Sequence, residues 1–522
     1  MAETGSKWRD PRAWGLAGWG ALVAAAGFPP AGIWPLALAL PAPLWAASLG
    51  ATPGRGFFLG WVQGLGFFGT LLWWIAPTVA AYGGVPWPAA AGCVALLAGY
   101  LALFPGLCGW ACAALGRKSP ASALGTAPLV WTGAEALRGW LLGGFPWGDV
   151  PQALWAWSPA LALAPWAGAD GIRLAAAALA VAPAWLLAYL GRGSRPGVAA
   201  LAVPLVAAIG WAGLVRLPSP LPPASGAIRV GVVQGNIDQA VKWDAAYRAA
   251  TLERYERLSR DLRPRPDLIV WPETAVPLYA QDPGPERARI ERLARELGAW
   301  ILFGAPAYER RGGEVEYRNA VFLMSPEGAL AGRYDKVHLV PFGEYVPLGR
   351  YLPFLKKLVQ GAGDFSPGDG VRPLGVPGLA PVGPLICFES IFPSLAAAHA
   401  QAGARLLAVV TNDAWFGRTA GPYHHLAFAA LRAAETGLAL VRAANTGVSA
   451  AFDRGGRVLR ATELGARDAF VVELPLAPGA PPPQVRVRPW IPRACLALAG
   501  SLVFAILRRP RSPGPPDLPP SR

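Results

Sequence analysis

Charge is scarce in this chain. Asp, Glu, Lys and Arg make up only 15% of 522 residues, against 53% hydrophobic residues and 23 tryptophans, and mean hydropathy is positive. That balance excludes an ordinary soluble protein and points to a chain that spends much of its length in a bilayer. Histidine and cysteine are also few, at 4 and 5. Four of the cysteines, Cys93, Cys108, Cys112 and Cys495, lie in apolar segments, so no disulfide framework is implied. With no cysteine pair beside the histidines, no metal-ligand spacing emerges, and neither a metal nor another cofactor is expected. There is no internal repeat. Acidic residues are rarest outside 226–487, where 6 Asp and Glu face 17 Lys and Arg; within that segment 26 face 30. The formal net charge of +15 therefore belongs mostly to the apolar part, where it reports topology rather than nucleic-acid binding.

What is present begins with apolar runs at roughly 13–29, 31–50, 56–79, 86–115, 119–142, 167–190 and 196–216, and an eighth at about 489–507. Each approaches the ~20 residues that a bilayer crossing needs. The first run alone could be a cleavable signal peptide, but the runs that follow argue for a retained span. If the N-terminus is cytoplasmic, Lys7, Arg9, Arg12, Arg55, Arg117, Lys118, Arg192, Arg195, Arg508, Arg509, Arg511 and Arg522 share the cytoplasmic side. The other side has only Arg138, Arg173, Arg216, Arg488 and Arg493 near the spans. This positive-inside bias places the large segment between spans seven and eight outside the cytoplasm. Glu135 and Arg138, followed by Gly144-Phe145-Pro146-Trp147-Gly148 and by Trp155, Trp157 and Trp166, read either as an interfacial anchor or as a lipid-handling surface.

The expected organisation is a membrane domain of seven transmembrane helices over 1–216, a Pro-rich linker at 217–225, and a catalytic domain at 226–476. A second linker at 477–488, an eighth helix at 489–507 and a disordered cytoplasmic tail at 508–522 complete it. Within 226–476, strands expected near 227–233, 268–271, 300–304, 382–386 and 406–410 alternate with helices near 245–262, 285–297, 394–402 and 423–436. Hairpins are expected across Pro326-Glu327-Gly328 and Asp453-Arg454-Gly455-Gly456. Alternation of this kind is the pattern of a layered α/β fold.

Three apolar runs of this domain end in residues of catalytic type: Trp271-Pro272-Glu273, Ile386-Cys387 and Thr411-Asn412-Asp413. Strand ends of an α/β sheet form the crevice where ligands bind. A thiol of ordinary pKa near 8.5 is mostly protonated at neutral pH and needs a base or a nearby cation. Glu273 can be the base; Lys336 can be the cation and, with the backbone amide of Phe388, the oxyanion donor. Glu344 could orient Lys336 or the leaving group. Each also has a bland reading: Cys387 as a small core residue, Glu273 as a cap, Lys336 as a surface charge. His338, His424 or His425 could instead serve as the thiol's base, and the spacing selects none of them.

Taken together, Val233-Gln234-Gly235-Asn236-Ile237, Lys242-Trp243-Asp244, Trp271-Pro272-Glu273-Thr274, the stretch from Lys336 to Pro347, Ile386-Cys387-Phe388-Glu389-Ser390, Thr411-Asn412-Asp413-Ala414-Trp415-Phe416 and Arg442-Ala443-Ala444-Asn445-Thr446-Gly447 resemble the carbon–nitrogen hydrolase (nitrilase) superfamily. With the apolar spans, the whole chain resembles the bacterial apolipoprotein N-acyltransferase family. The resemblance implies an αββα sandwich. It implies Glu273 as general base, Lys336 as stabiliser of oxyanion and thiolate, and Cys387 as acylated nucleophile. Glu344 and Glu389 would be supporting acids and Trp243 a substrate-loop residue. Phe388 stands where the family is expected to have Tyr, which leaves the backbone amide's role intact and puts a hydroxyl's role in doubt. The implied reaction moves an acyl chain from a phospholipid, with phosphatidylethanolamine the expected donor, to the amine of a diacylglyceryl-cysteine apolipoprotein through a thioester. The enzyme would be a monomer in the bacterial inner membrane with its catalytic domain on the periplasmic face. The alternatives are a membrane-anchored amidase of small amides, and a transporter or receptor whose α/β domain only binds ligand.

Overall fold

The computed structural model describes residues 11–38, 40–189, 198–239, 245–346, 365–487 and 490–508. Its α/β part contains β1 (Ala227–Gln234), β2 (Leu268–Val270), β3 (Trp300–Arg311), β4 (Glu314–Met324), β5 (Leu330–Asp335), β6 (Val382–Ile386), β7 (Leu406–Thr411), β8 (Ala439–Ala444), β9 (Ala450–Phe452), β10 (Val458–Ala461) and β11 (Asp468–Pro475). One sheet has six strands in the order β11-β1-β2-β3-β4-β5, the other five in the order β10-β9-β8-β7-β6. Strands β1, β2 and β3 are parallel, as are β6, β7 and β8. Helices α1 (Ala245–Arg260) and α2 (Pro285–Leu297) make the crossovers of the first sheet, and α3 (Pro393–Gln401) and α4 (Gly421–Thr436) those of the second.

Sequence pattern explains this layering. Strands β2, β6 and β7 are buried at every position, which is why they read as unbroken apolar runs rather than alternating ones. Val230, Val232, Leu268, Val270 and Leu302 of the first sheet face Val382, Ile386, Leu406, Val410 and Val441 of the second. The opposite faces bury Ile269 and Ile301 against Tyr255, Ile290 and Leu293 of α1 and α2, and Leu385, Leu407 and Val409 against Ala396, Leu426 and Ala429 of α3 and α4. The result is the expected αββα sandwich. Two features differ from the sequence reading. Strand β3 runs on to Arg311 and turns through Gly312-Gly313, both at positive φ, into a long hairpin with β4. Strands β8 and β11 also lie outside the expected set. β11 pairs with β1 from Asp468 to Pro475 and closes an edge, although its partly exposed pattern resembles a loop.

The N-terminal part is helical. Among the described residues, Trp87–Gly116 and Ser158–Tyr189 are long and apolar enough to cross a membrane; Pro53–Leu71 and Ile75–Gly83, bent by 60°, would make a third span if counted as one. Other apolar helices are Pro11–Ala25, Pro120–Arg138, Val198–Arg216 and Trp490–Arg508, and the run near 31–50 is divided into Pro35–Leu38 and Pro41–Ser48. Pro53–Leu71 lies directly on Leu103–Gly116, because glycines replace side chains along the contact. A Cβ at Gly60 would sit 2.2 Å from the carbonyl oxygen of Pro105, and one at Gly56 2.4 Å from that of Gly109.

The helical and α/β parts share a polar and aromatic contact surface. Thr78 Oγ1 donates to the carbonyl of Trp415 (2.7 Å) and Gln152 Nε2 to that of His424 (3.0 Å), while the backbone N–H of Ala169 donates to Glu435 Oε1 (2.8 Å). Trp147 is buried here, 5.3 Å from the ring of Phe428 and 6.4 Å from that of Phe416. Glu135 and Arg138 are neither anchor nor lipid surface. They form a buried ion pair, and Arg138 Nη1 donates to the carbonyls of Phe145 (2.6 Å) and Trp147 (2.7 Å), holding the loop that carries Trp147.

Candidate active site

Four segments that leave strand ends converge between the sheets. Cys387 follows β6 directly and opens a short 3-10 helix, Cys387–Ile391. Its φ is +52°, a left-handed conformation uncommon for a side-chain-bearing residue; Thr274, next to Glu273, has φ +49°. Backbone strain of this sort persists where surrounding structure holds a side chain in one direction. Glu273 follows β2, and its backbone passes so close to β3 that a Cβ at Gly304 would lie 2.6 Å from Glu273 Cα and 2.5 Å from the Thr274 nitrogen. Only glycine permits that approach.

Lys336 follows β5, is 1% exposed, and is anchored by its own N–H, which donates to the Asn319 carbonyl (2.8 Å). Its Nζ donates to Glu344 Oε1 (2.9 Å) and stands 3.7 Å from Glu273 Oε1. Asn319 Nδ2 bridges the two carboxylates, donating to Glu273 Oε1 (2.7 Å) and Glu344 Oε1 (2.8 Å). The other oxygen of Glu273 accepts from the Asn412 N–H (2.9 Å), and that of Glu344 from the Val340 N–H (2.8 Å). Burial lowers the affinity of Lys336 for its proton, but Glu344 and Glu273 outweigh it and hold the pKa above the ordinary lysine value. Lys336 is therefore a fixed cation. Burial and then Glu273 push the Cys387 thiol well above its usual pKa, more than Lys336 lowers it. The resting thiol keeps its proton, so a base must take it as attack begins.

Glu389 does not join this cluster. It is fully buried beneath the turn: Oε2 accepts from the Ile386 N–H (2.8 Å), and Oε1 from the Val337 N–H (2.7 Å), the His338 N–H (3.2 Å) and Tyr334 Oη (3.0 Å). It thus ties the approach to Cys387 to the chain just beyond Lys336. Burial pushes its carboxyl up to about 7, against the pull of the Ile386 amide, Lys336 and the Val337 and His338 amides. Phe388 turns its ring toward Phe392 (5.2 Å) and Phe145 (6.4 Å), in apolar company. Trp243, Lys242 and Asp244 lie outside the described residues. The loop leading to them is stitched down, with Ile237 bonded to Asn445 through both its N–H and its carbonyl (2.9 and 2.8 Å) and Gln239 accepting from Asn412 Nδ2 (2.7 Å).

Among the described residues no histidine hydrogen bonds to the Cys387 sulfur. His338 packs on Phe392, with ring centroids 3.9 Å apart. His424 Nε2 donates to the Pro29 carbonyl (2.6 Å), while its Nδ1 accepts from Trp147 Nε1 (3.1 Å). His425 reaches the carbonyl of Cys387, not its thiol. Sequence reasoning passed over Asn319 and Tyr334 as site residues. Asn319 did carry a signal, a polar residue within the buried run of β4; Tyr334 is indistinguishable from a core aromatic until its hydroxyl partner is seen.

Known proteins give this arrangement a class and then a family. Residues 229–479 match the carbon–nitrogen hydrolase family, and residues 20–182 match the apolipoprotein N-acyltransferase N-terminal domain. Apolipoprotein N-acyltransferase of Geobacter metallireducens is 41% identical over 444 residues, 84% of each chain. That of Methylococcus capsulatus is 37% identical over 460 residues, 86% of each chain, and that of Azotobacter vinelandii 36% over 496 residues, 93% of this chain and 94% of the relative. Among solved structures, an amidase from Nesterenkonia sp. AN1 shares 22% identity at a TM-score of 0.36, covering 49% of this chain and 92% of its own. The chain belongs to the apolipoprotein N-acyltransferase family.

Proposed function

We propose that this protein transfers an acyl chain from a membrane phospholipid to the N-terminal amine of diacylglyceryl-cysteine apolipoproteins through a thioester on Cys387. The observation that carries the reading is a buried Glu273, Lys336 and Glu344 cluster beside the strand-end turn of Cys387, in a chain whose relatives bear this activity in their names over most of their length. Glu273 takes the thiol proton as sulfur attacks the ester carbonyl. Lys336 and the Phe388 amide hold the oxyanion, a contribution of about 10²–10³-fold per donor. The carbon–oxygen bond then breaks, Glu273 returns the proton to the leaving alkoxide, and lysophospholipid departs. In the second half the lipoprotein amine attacks the thioester, gives its proton to Glu273, and expels the thiolate of Cys387. Glu344 and Glu389 support this geometry, and Trp243 borders the substrate.

Eight transmembrane helices over 1–216 and 489–507 would carry the enzyme in the inner membrane, with residues 226–476 on the periplasmic face, joined by the linkers 217–225 and 477–488 and ending in the cytoplasmic tail 508–522. The loop charges support this orientation. A site just above the outer leaflet would meet both lipid substrates without extracting them into water, and water exclusion would protect the thioester. Phosphatidylethanolamine as donor and a monomeric state complete the reading.

The test is intact mass of detergent-purified protein incubated with phosphatidylethanolamine, beside Cys387→Ala. One acyl mass added to the wild type alone is expected, and it should transfer to a diacylated lipopeptide. An unmodified wild type that nonetheless cleaves small amides would shift the assignment to an anchored amidase.

A further inference from the structure

The groups at the thiol do not account for what holds the turn itself. Around the carbonyl of Cys387 lies a second buried polar cluster of His425, Asp413, Arg442 and Ser390, each no more than 1% exposed. His425 comes from α4, Asp413 from the 3-10 turn just after β7, Arg442 from β8 and Ser390 from the turn after Cys387. We infer that His425 is a positioning residue, whose Nε2–H fixes the Cys387 carbonyl and so keeps the nucleophile turn in its left-handed conformation. The inference rests on Cys387 being the nucleophile.

Proton bookkeeping on the ring supports the assignment. Nε2 lies 3.0 Å from the carbonyl oxygen of Cys387 and 2.9 Å from Ser390 Oγ, and Ser390 Oγ itself donates to the same carbonyl at 2.9 Å. A carbonyl oxygen can only accept, so Nε2 carries the hydrogen. Nδ1 lies between an acceptor, Asp413 Oδ1 at 3.0 Å, and a donor, Arg442 Nη2 at 3.2 Å, so that edge is satisfied with or without a proton. Asp413 is held ionised, at about 2, because Arg442 and His425 outweigh its burial, and Thr411 Oγ1 also donates to it (2.8 Å). A Cβ on Gly447 would come 2.3 Å from Asp413 Oδ2, so the loop after β8 closes over this carboxylate. Every group around the ring is thus fixed by another element.

The consequence lies in the turn. A side-chain-bearing residue at positive φ costs about 1–3 kcal/mol and stays there only if its surroundings demand it. His425 and Ser390 supply that demand from one side of the Cys387–Phe388 peptide, and the opposite side of that peptide is the Phe388 N–H offered to the oxyanion. Removing His425 leaves the carbonyl to Ser390 alone and loosens the peptide, so that sulfur and amide can shift together. Displacement of a reacting group by about 1 Å costs roughly 10²-fold in rate without loss of remote binding. His425 also packs against Trp147 of the helical part in a tilted arrangement, with ring centroids 6.1 Å apart, so the docking surface braces the same ring.

The experiment uses the full-length enzyme in detergent as wild type, His425→Gln, His425→Asn and His425→Leu. Glutamine can place an amide N–H where Nε2 stands; asparagine reaches only the Asp413 side, and leucine donates nothing. Two rates are read: acyl-adduct formation on Cys387 against phosphatidylethanolamine concentration, and alkylation of Cys387 by iodoacetamide, which needs no lipid. The expected result is a loss of about 10²-fold in the maximal acylation rate for Leu and Asn. The phospholipid concentration at half-saturation should stay unchanged, recovery should occur in Gln, and alkylation should follow the same order. Should Leu not fold, the Gln and Asn pair decides alone. Equal rates for Gln and Asn, or a change confined to half-saturation, overturn the assignment. A wild type that alkylates normally but never acquires an acyl group refutes the acyltransfer reading instead, and leaves the alkylation order to judge His425.

Discussion

Lys336 shows how single residues set the chemistry of the site. Two carboxylates share one buried ammonium, and Asn319 keeps them at fixed distances from it. Because the thiol is protonated at rest, Glu273→Gln should slow acyl-adduct formation by about 10²–10⁴-fold while phospholipid binding is retained, as mass spectrometry against time will show. A Gln variant acylated at the wild-type rate would mean that another group takes the proton. Glu389 makes a pH prediction. Its carboxyl titrates near 7 in the folded protein against an ordinary 4.5, so between those values the unfolded chain ionises while the folded one holds its proton. Stability contributed by this residue is therefore full below about 4.5 and declines as pH rises to about 7. Glu389→Gln should flatten the fall in Tm between pH 5 and pH 8, measured by thermal unfolding in one detergent; parallel slopes would show that Glu389 does not titrate there.

Elements aim these residues, and they do so through backbone contacts as much as side chains. β3 carries Gly304 against the backbone of Glu273 and Thr274. Gly304→Ala should cost about 1–3 kcal/mol of stability from overpacking and displace Glu273 enough to slow acylation. A lowered Tm with an unchanged acylation rate would show that Glu273 tolerates the shift. Similar close contact governs the helical part, where Gly56, Gly60 and Gly64 recur on one face of Pro53–Leu71. Gly60→Leu should separate that helix from Leu103–Gly116 and reduce the yield of folded protein on gel filtration, whereas Gly69→Leu, with open space around its Cα, should not. The strands themselves were legible where they were fully buried, as at Leu268–Val270 and Val382–Ile386. Strand β11 was not, because its place at a sheet edge leaves it half exposed and without a strong period.

At the scale of the whole molecule, the helical part forms one wall of the catalytic domain. Trp147, held through Arg138, packs among His424, His425, Phe416 and Phe428. Trp147→Ala should cost about 3–5 kcal/mol, by analogy with other buried aromatic truncations, and slow acylation through His425. Thermal unfolding combined with acyl-adduct kinetics checks both; a full Tm loss with normal kinetics would separate docking from catalysis. Topology has its own test. Alkaline phosphatase fused after Arg216 should be active and fused after Lys118 inactive, if the segment that follows Arg216 lies outside the cytoplasm.

Local information was enough for the alternation of strands and helices, the apolar runs and the placing of Glu273, Cys387 and Asp413 at the ends of buried runs, because burial on both faces and turn residues leave periodic marks in a chain. It was also enough to make His338, His424 and His425 equal candidates, since spacing carries no direction. Only the tertiary structure separated them, sending His424 to Pro29 and Trp147, His338 to Phe392 and His425 to the Cys387 carbonyl. It likewise turned Glu135 and Arg138 from surface candidates into an internal clasp and brought Asn319 between two carboxylates. Hydrogen bonds between residues distant in sequence depend on where whole elements cross, and no local pattern encodes that crossing.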